Sequence, residues 1–96
     1  MYVEASGHNT VFNVLENGRC VSYTVLEAVK NVEKKLDGDN FVKCHRSYIC
    51  NLEFVHSIGK NDIIFDDSSK IPVSRRAYPV VNEAFINYYK RVEGFK

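Results

Sequence analysis

The chain has 96 residues, enough for one domain, and 45% hydrophobic against 26% charged is an ordinary globular balance. That balance excludes a disordered chain, which needs low hydrophobicity and high net charge, and the length excludes a multidomain enzyme with a large cofactor cleft. Net charge is +1: residues 1–40 hold 6 acids and 4 Lys/Arg and residues 41–96 hold 6 acids and 9 Lys/Arg, a weaker basic footprint than most nucleic-acid readers show.

In chain order, Tyr2-Val3-Glu4-Ala5 reads as a strand, and Ser6-Gly7-His8-Asn9 as a polar turn. Val11 to Leu15 is rich in strand formers. Asn17-Gly18 is the strongest short hairpin signal, so Cys20 to Tyr23 is expected to return as the partner strand. Apolar residues then recur at helical spacing through Val25, Leu26, Val29, Val32 and Leu36. Thr24 followed by Glu27 has the form of a capping box, and Gly38 of a stop, which predicts a helix over residues 25–36. Phe41 to His45 alternates like a strand. Tyr48, Ile49 and Leu52 are expected to form a short helical turn. Phe54 to Ile58 and Ile63 to Phe65 read as strands joined at Gly59-Lys60-Asn61-Asp62.

Asp66 to Ser69 is a further turn and Ile71-Pro72-Val73 a last short strand; Pro72 lacks an N–H, so this strand belongs at an edge. Ser74 is an N-cap candidate for a C-terminal helix beginning between Arg75 and Pro79 and ending near Lys90, before Gly94, with Val80, Val81, Phe85 and Tyr88 facing the core. The fold class is therefore mostly β with short helices, α+β in arrangement, and largely antiparallel. Residue 1 opens directly into a strand with no partner upstream, as if the first strands of a domain had been left off.

No apolar run approaches the ~20 residues that span a membrane, and no signal-peptide pattern opens the sequence. Cys20, Cys44 and Cys50 are odd in number and lack a C-x-x-C pair, which fits neither a disulfide framework nor a zinc site. A cytoplasmic, reducing setting is expected, with no metal and no cofactor. Cys44 beside His45 is no nucleophile–base pair, because adjacent strand residues point to opposite faces; no enzyme is expected. His45 points opposite to Cys44 and Arg46 and is read as structural. Asp62, Asp66 and Asp67 read as turn residues, since no loop of alternating ligands ends in Glu.

The segment Phe41-Val42-Lys43-Cys44-His45-Arg46-Ser47-Tyr48-Ile49-Cys50-Asn51-Leu52 resembles the signature of the LytTR DNA-binding domain family: an aromatic, a basic residue, His-Arg-Ser-Tyr, two apolar residues and Asn. Ile71-Pro72-Val73-Ser74-Arg75-Arg76-Ala77-Tyr78 resembles its second motif, and Tyr2-Val3-Glu4-Ala5 with the following loop also matches. The resemblance runs over nearly the whole chain and departs at the start, where the family domain usually has one or two further strands.

The resemblance implies small antiparallel sheets with short helices, and a module that reads double-stranded DNA through loops. It implies the effector domain of a transcriptional regulator, usually a two-component response regulator with a receiver domain upstream, bound to direct repeats as a dimer or paired monomers. By the same resemblance three base-reading positions carry over: Thr10 with its neighbours His8 and Asn9, Arg46, and Arg76. Some members form a redox switch between cysteines at the positions of Cys44 and Ile71; the isoleucine here removes that pairing.

The residue chemistry agrees. An arginine fork pairs with guanine O6 and N7, worth about 1–3 kcal/mol of discrimination. Lys43, Ser47 and Ser74 suit phosphate contacts, which set register. Arg75 and Arg76 at a helix start oppose the macrodipole, so one of the pair is expected to face DNA and the other to brace the fold. The low net charge motivates one alternative, a β-domain for protein interaction or ligand sensing that does not bind DNA.

Overall fold

Asn17 and Gly18 both take left-handed backbone, with φ of 51° and 80°, as a two-residue type I′ turn requires. They set the register of a long hairpin between β2 (Asn9–Glu16) and β3 (Arg19–Val25), paired from Glu16↔Arg19 to Thr10↔Val25. The computed structural model describes residues 1–36 and 40–92. Its other elements are β1 (Tyr2–Ser6), α1 (Val29–Lys35), β4 (Phe41–His45), β5 (Tyr48–Asn51), a 3-10 turn at Leu52–Phe54, β6 (Val55–Ile58), β7 (Asp62–Phe65), β8 (Lys70–Pro72) and α2 (Tyr78–Val92).

Two antiparallel sheets result. The larger has the order β3-β2-β1-β5-β4, the smaller β6-β7-β8. The first strand is flanked on both sides by strands that follow it in the chain: Tyr2 pairs Asn13 on β2 and Cys50 on β5. Pro72 lies on the edge strand β8, as its missing N–H demands.

One core fills the space between the sheets. Cys44, Cys50, Leu52, Val55, Ile63, Phe65, Ile71 and Val81 are buried together there, and Tyr2 stacks on Phe65 with ring centroids 5.2 Å apart. On the opposite face of the larger sheet, Val3 and Ile49 pack with Val32 of α1.

Three sequence expectations change. Residues 48–51 are a strand rather than a helical turn, and the helical turn falls at Leu52–Phe54. The first helix starts at Val29, since Thr24 and Val25 pair with Val11 and Thr10 in the hairpin. Its N-cap is Ala28, without a side-chain cap, and Glu27 bonds Lys35 at 2.7 Å instead of closing a capping box. On α2 the inward stripe is Val81, Ala84, Phe85 and Tyr88, while Val80, one residue off it, is 61% exposed. The stops expected at Gly38 and Gly94 lie outside the described residues.

Candidate nucleic-acid interface

Antiparallel pairing places particular turns together. β1 runs into the Gly7–His8 turn, and β5 leaves the Arg46–Ser47 turn. Glu4 pairs Tyr48 across these two strands, so both turns emerge at one end of the larger sheet. Ala5 N–H donates to the Ser47 carbonyl at 2.8 Å and joins them.

The Arg46–Ser47 turn is braced from within. Ser47 N–H donates to His45 Nδ1 at 3.2 Å, and the His45 ring stands edge-on to Tyr48 at 5.8 Å. The Tyr48 hydroxyl donates to the Glu4 carboxylate at 3.3 Å; burial, and then Glu4, push the Tyr48 phenol above its ordinary value. His45 thus has the structural part expected of it, and it also lines the groove described next.

A third segment arrives from the smaller sheet. Ser74 N–H donates to the Cys44 carbonyl at 2.9 Å, which fixes the approach to α2 against β4. The Ser74 hydroxyl oxygen accepts Ala77 N–H at 3.1 Å, and Tyr78 N–H donates to the Ser74 carbonyl at 3.0 Å. With these bonds holding the backbone, Lys43, His45, Arg46, Ser74, Arg76 and Ala77 line one open groove of about 240 Å³. The two arginine motifs, apart in sequence, meet there.

Arg46, Arg75 and Arg76 are exposed, and among the described residues none has an ion-pair partner. Arg75 and Arg76 are therefore both open to solvent, and they line different cavities. Lys43 is exposed but sits 3.7 Å from Glu33, a weak pairing for groups so solvated. Ser74 spends its oxygen on the turn before α2 and keeps its hydroxyl proton to offer. Ser47 commits both backbone groups to the turn. His8 is exposed at the hairpin tip, and Asn9 is half-buried opposite Ser6.

Thr10 is a correction. It is fully buried, and its hydroxyl donates to the Glu27 carbonyl at 2.6 Å. A side chain with no exposed surface and a committed proton serves the fold, not a base edge.

The cysteines divide by burial. Cys20 is exposed, while Cys44 and Cys50 are buried. The Cys44 thiol lies 3.7 Å from the Tyr48 carbonyl. A hydrogen bond with Cys44, and then burial, push the Cys50 thiol far up. Among the described residues no three His, Cys, Asp or Glu side chains are grouped to hold a metal ion, and no helix is long and apolar enough to cross a membrane.

Comparison with known proteins gives three findings. The family model described as the LytTr DNA-binding domain matches residues 1–86. The chain is 41% identical over 59 residues to the sensory transduction protein LytT of Bacillus subtilis (strain 168), a match covering 56% of this chain and 24% of that protein. A solved structure from Bacillus cereus, described as the LytTr DNA-binding domain of a methyl-accepting/DNA response regulator, superposes with a TM-score of 0.68 at 26% identity, covering 99% of this chain and 81% of the other.

Proposed function

The chain belongs to the LytTR DNA-binding domain family, and from that premise we propose that it reads sequence in double-stranded DNA through the turns gathered at one end of its larger sheet. The observation that supports this is the groove in which Arg46 and Arg76 meet without an acidic partner among the described residues. Each guanidinium offers a fork matched to guanine O6 and N7 in the major groove. His8 and Asn9 reach a neighbouring stretch of duplex from the hairpin tip. Lys43, Ser47, Ser74 and Arg75 hold phosphates, which fixes register without reading bases.

No helix reads bases in this scheme. α1 spans only Val29–Lys35, and α2 turns Val81, Ala84, Phe85 and Tyr88 into the core. A helical reader would lay its N-terminal residues into the groove; here the backbone of two turns, pinned by the bonds of Ser47 and Ser74, supplies the rigid base.

The B. subtilis relative is a sensory transduction protein and the B. cereus domain comes from a response regulator. By that likeness this chain is the effector part of a cytoplasmic two-component regulator. It acts behind a receiver domain and binds direct repeats as a dimer or as paired monomers.

The deciding experiment is selection from a random duplex pool across a salt series. An enriched repeat with half-sites at one fixed spacing is the expected result. Attraction that disappears with salt and enriches no sequence overturns the reading, and would return attention to an interaction or ligand-sensing role.

A further inference from the structure

The turn between Ser74 and Ala77 has a second side. Arg76 lines the groove on one side, while Arg75, the residue before it, lines a separate cavity of about 240 Å³ with Lys60, Asn61 and Tyr78. The far wall is the β6–β7 turn. Gly59 N–H donates to the Asp62 carbonyl at 2.8 Å, which closes that turn, and Val73 N–H donates to the Asn61 carbonyl at 3.0 Å, which fixes it against the strand leading to Ser74.

The lining has one chemical character. An ammonium, a guanidinium, a carboxamide and a phenol can all donate hydrogen bonds, and among the described residues no carboxylate lines the cavity. Among the described residues neither Lys60 nor Arg75 has an ion-pair partner. Two like charges held around one cavity repel each other, and an anion seated between them reverses that cost.

Its position identifies the anion. The cavity and the arginine groove share one turn, and consecutive residues serve the two. A ligand lying in the groove therefore carries its own negative charge past the cavity at a short, fixed offset. A nucleic-acid strand does this, with phosphates beside its bases.

We propose that Lys60, Asn61, Arg75 and Tyr78 seat one backbone phosphate of the DNA strand read by Arg46 and Arg76. This rests on the DNA-reading assignment above and extends it to the β6–β7 turn. Lys60 and Arg75 are positioning residues: they set where the duplex lies and carry no sequence information.

The test uses Lys60→Ala, an exposed turn position, with the duplex enriched from the random pool and a scrambled duplex, each titrated over a potassium chloride series. Neutralising one phosphate contact makes the slope of log affinity against log salt shallower by about 0.9. Lys60→Ala should show that change, weaken binding to both duplexes by the same factor, and leave their ratio unchanged. Replacing phosphates one at a time by uncharged methylphosphonate should find a position where wild type loses affinity and Lys60→Ala loses no more. A wild-type slope in the folded variant overturns the phosphate seat and leaves the base-reading assignment standing. A changed target-to-scrambled ratio makes Lys60 a base reader and also overturns it. If wild type discriminates no sequence, both readings fall, and the cavity is left for the acidic segment of a protein partner.

Discussion

The two ends of the larger sheet are both closed by tight turns, but their polar groups are used differently. At the far end the Asn17–Gly18 turn sets hairpin register, and the groups beside it find partners in the chain: the Tyr23 hydroxyl donates to Glu16 at 2.7 Å, which also raises the Tyr23 phenol. At the near end Lys35 is matched with Glu27 and Lys43 weakly with Glu33. Arg46 and Arg76 are held by a well-bonded backbone, yet no ion pair among the described residues takes up their charge. Charge fixed in place and left unmatched is what a ligand can use; charge matched internally contributes to the fold.

Removing either unmatched arginine tests that division directly. Arg46→Ala and Arg76→Ala should each cost about 1–3 kcal/mol of discrimination between target and scrambled duplex, near fivefold to 150-fold. Both side chains are exposed, so stability in urea should stay within about 0.5 kcal/mol. If both variants fold and still discriminate, the near end is not the reading surface.

Thr10→Val probes the near end from inside. The substitution keeps the shape and removes the hydroxyl that serves the Glu27 carbonyl. A loss of about 1–2 kcal/mol in urea unfolding is expected, with the target-to-scrambled ratio unchanged. Loss of the ratio in a folded Thr10→Val protein would return Thr10 to the interface, against its complete burial.

At the far end, Gly18→Ala isolates backbone conformation. A methyl group there meets no atom within 4 Å, while φ is +80°, so steric contact contributes nothing and the left-handed backbone about 1 kcal/mol. Thermal unfolding should show that cost, and DNA discrimination should not move. An unchanged melting temperature would mean that the hairpin tolerates another turn geometry.

What the sequence discloses follows what is local. The Asn17–Gly18 turn and the edge position of Pro72 each depend on one or two neighbouring residues and are found where expected, while the Ser74 hydroxyl closes the turn that leads into α2. β5 is hidden because Ile49 and Cys50, consecutive in sequence, are both buried; a strand covered on both faces shows no alternation. The start of α1 is misread because Thr24 and Val25 fit the helical spacing, while pairing with Val11 and Thr10 takes them into β3.

At the site, both arginine motifs are legible as patterns, but their meeting is not. It takes contacts between residues far apart in sequence: the bond from Ser74 N–H to the Cys44 carbonyl, thirty positions apart, and the shared burial of Cys44, Val73 and Val81. Lys60 and Asn61 read only as turn residues, and their cavity exists once β6–β7 is laid against Arg75. Thr10 fails for the converse reason: the sequence shows a polar residue near a loop, and only the packing shows it sealed.

The smaller sheet repeats the contrast between ends. Its β6–β7 turn carries Lys60 and Asn61 to the cavity shared with Arg75, while its β7–β8 turn keeps Asp67 for itself. Asp67 Oδ1 accepts the Ser69 hydroxyl at 2.6 Å and Ser69 N–H at 3.0 Å. These bonds hold the Asp67 carboxyl below its ordinary value of 3.8. The folded state therefore binds this proton less readily than the unfolded chain. The stabilisation is present above the unfolded value and is lost as pH falls through the lower folded value. Asp67→Asn keeps an acceptor and removes the charge. The group is exposed, so the change at neutral pH should be at most about 0.5 kcal/mol. The stability gap to wild type should then narrow as pH falls from about 5 through the unfolded value and on through the lower folded one. Urea midpoints across that range decide it: a gap that stays constant would show that the Asp67 charge has no part in the turn.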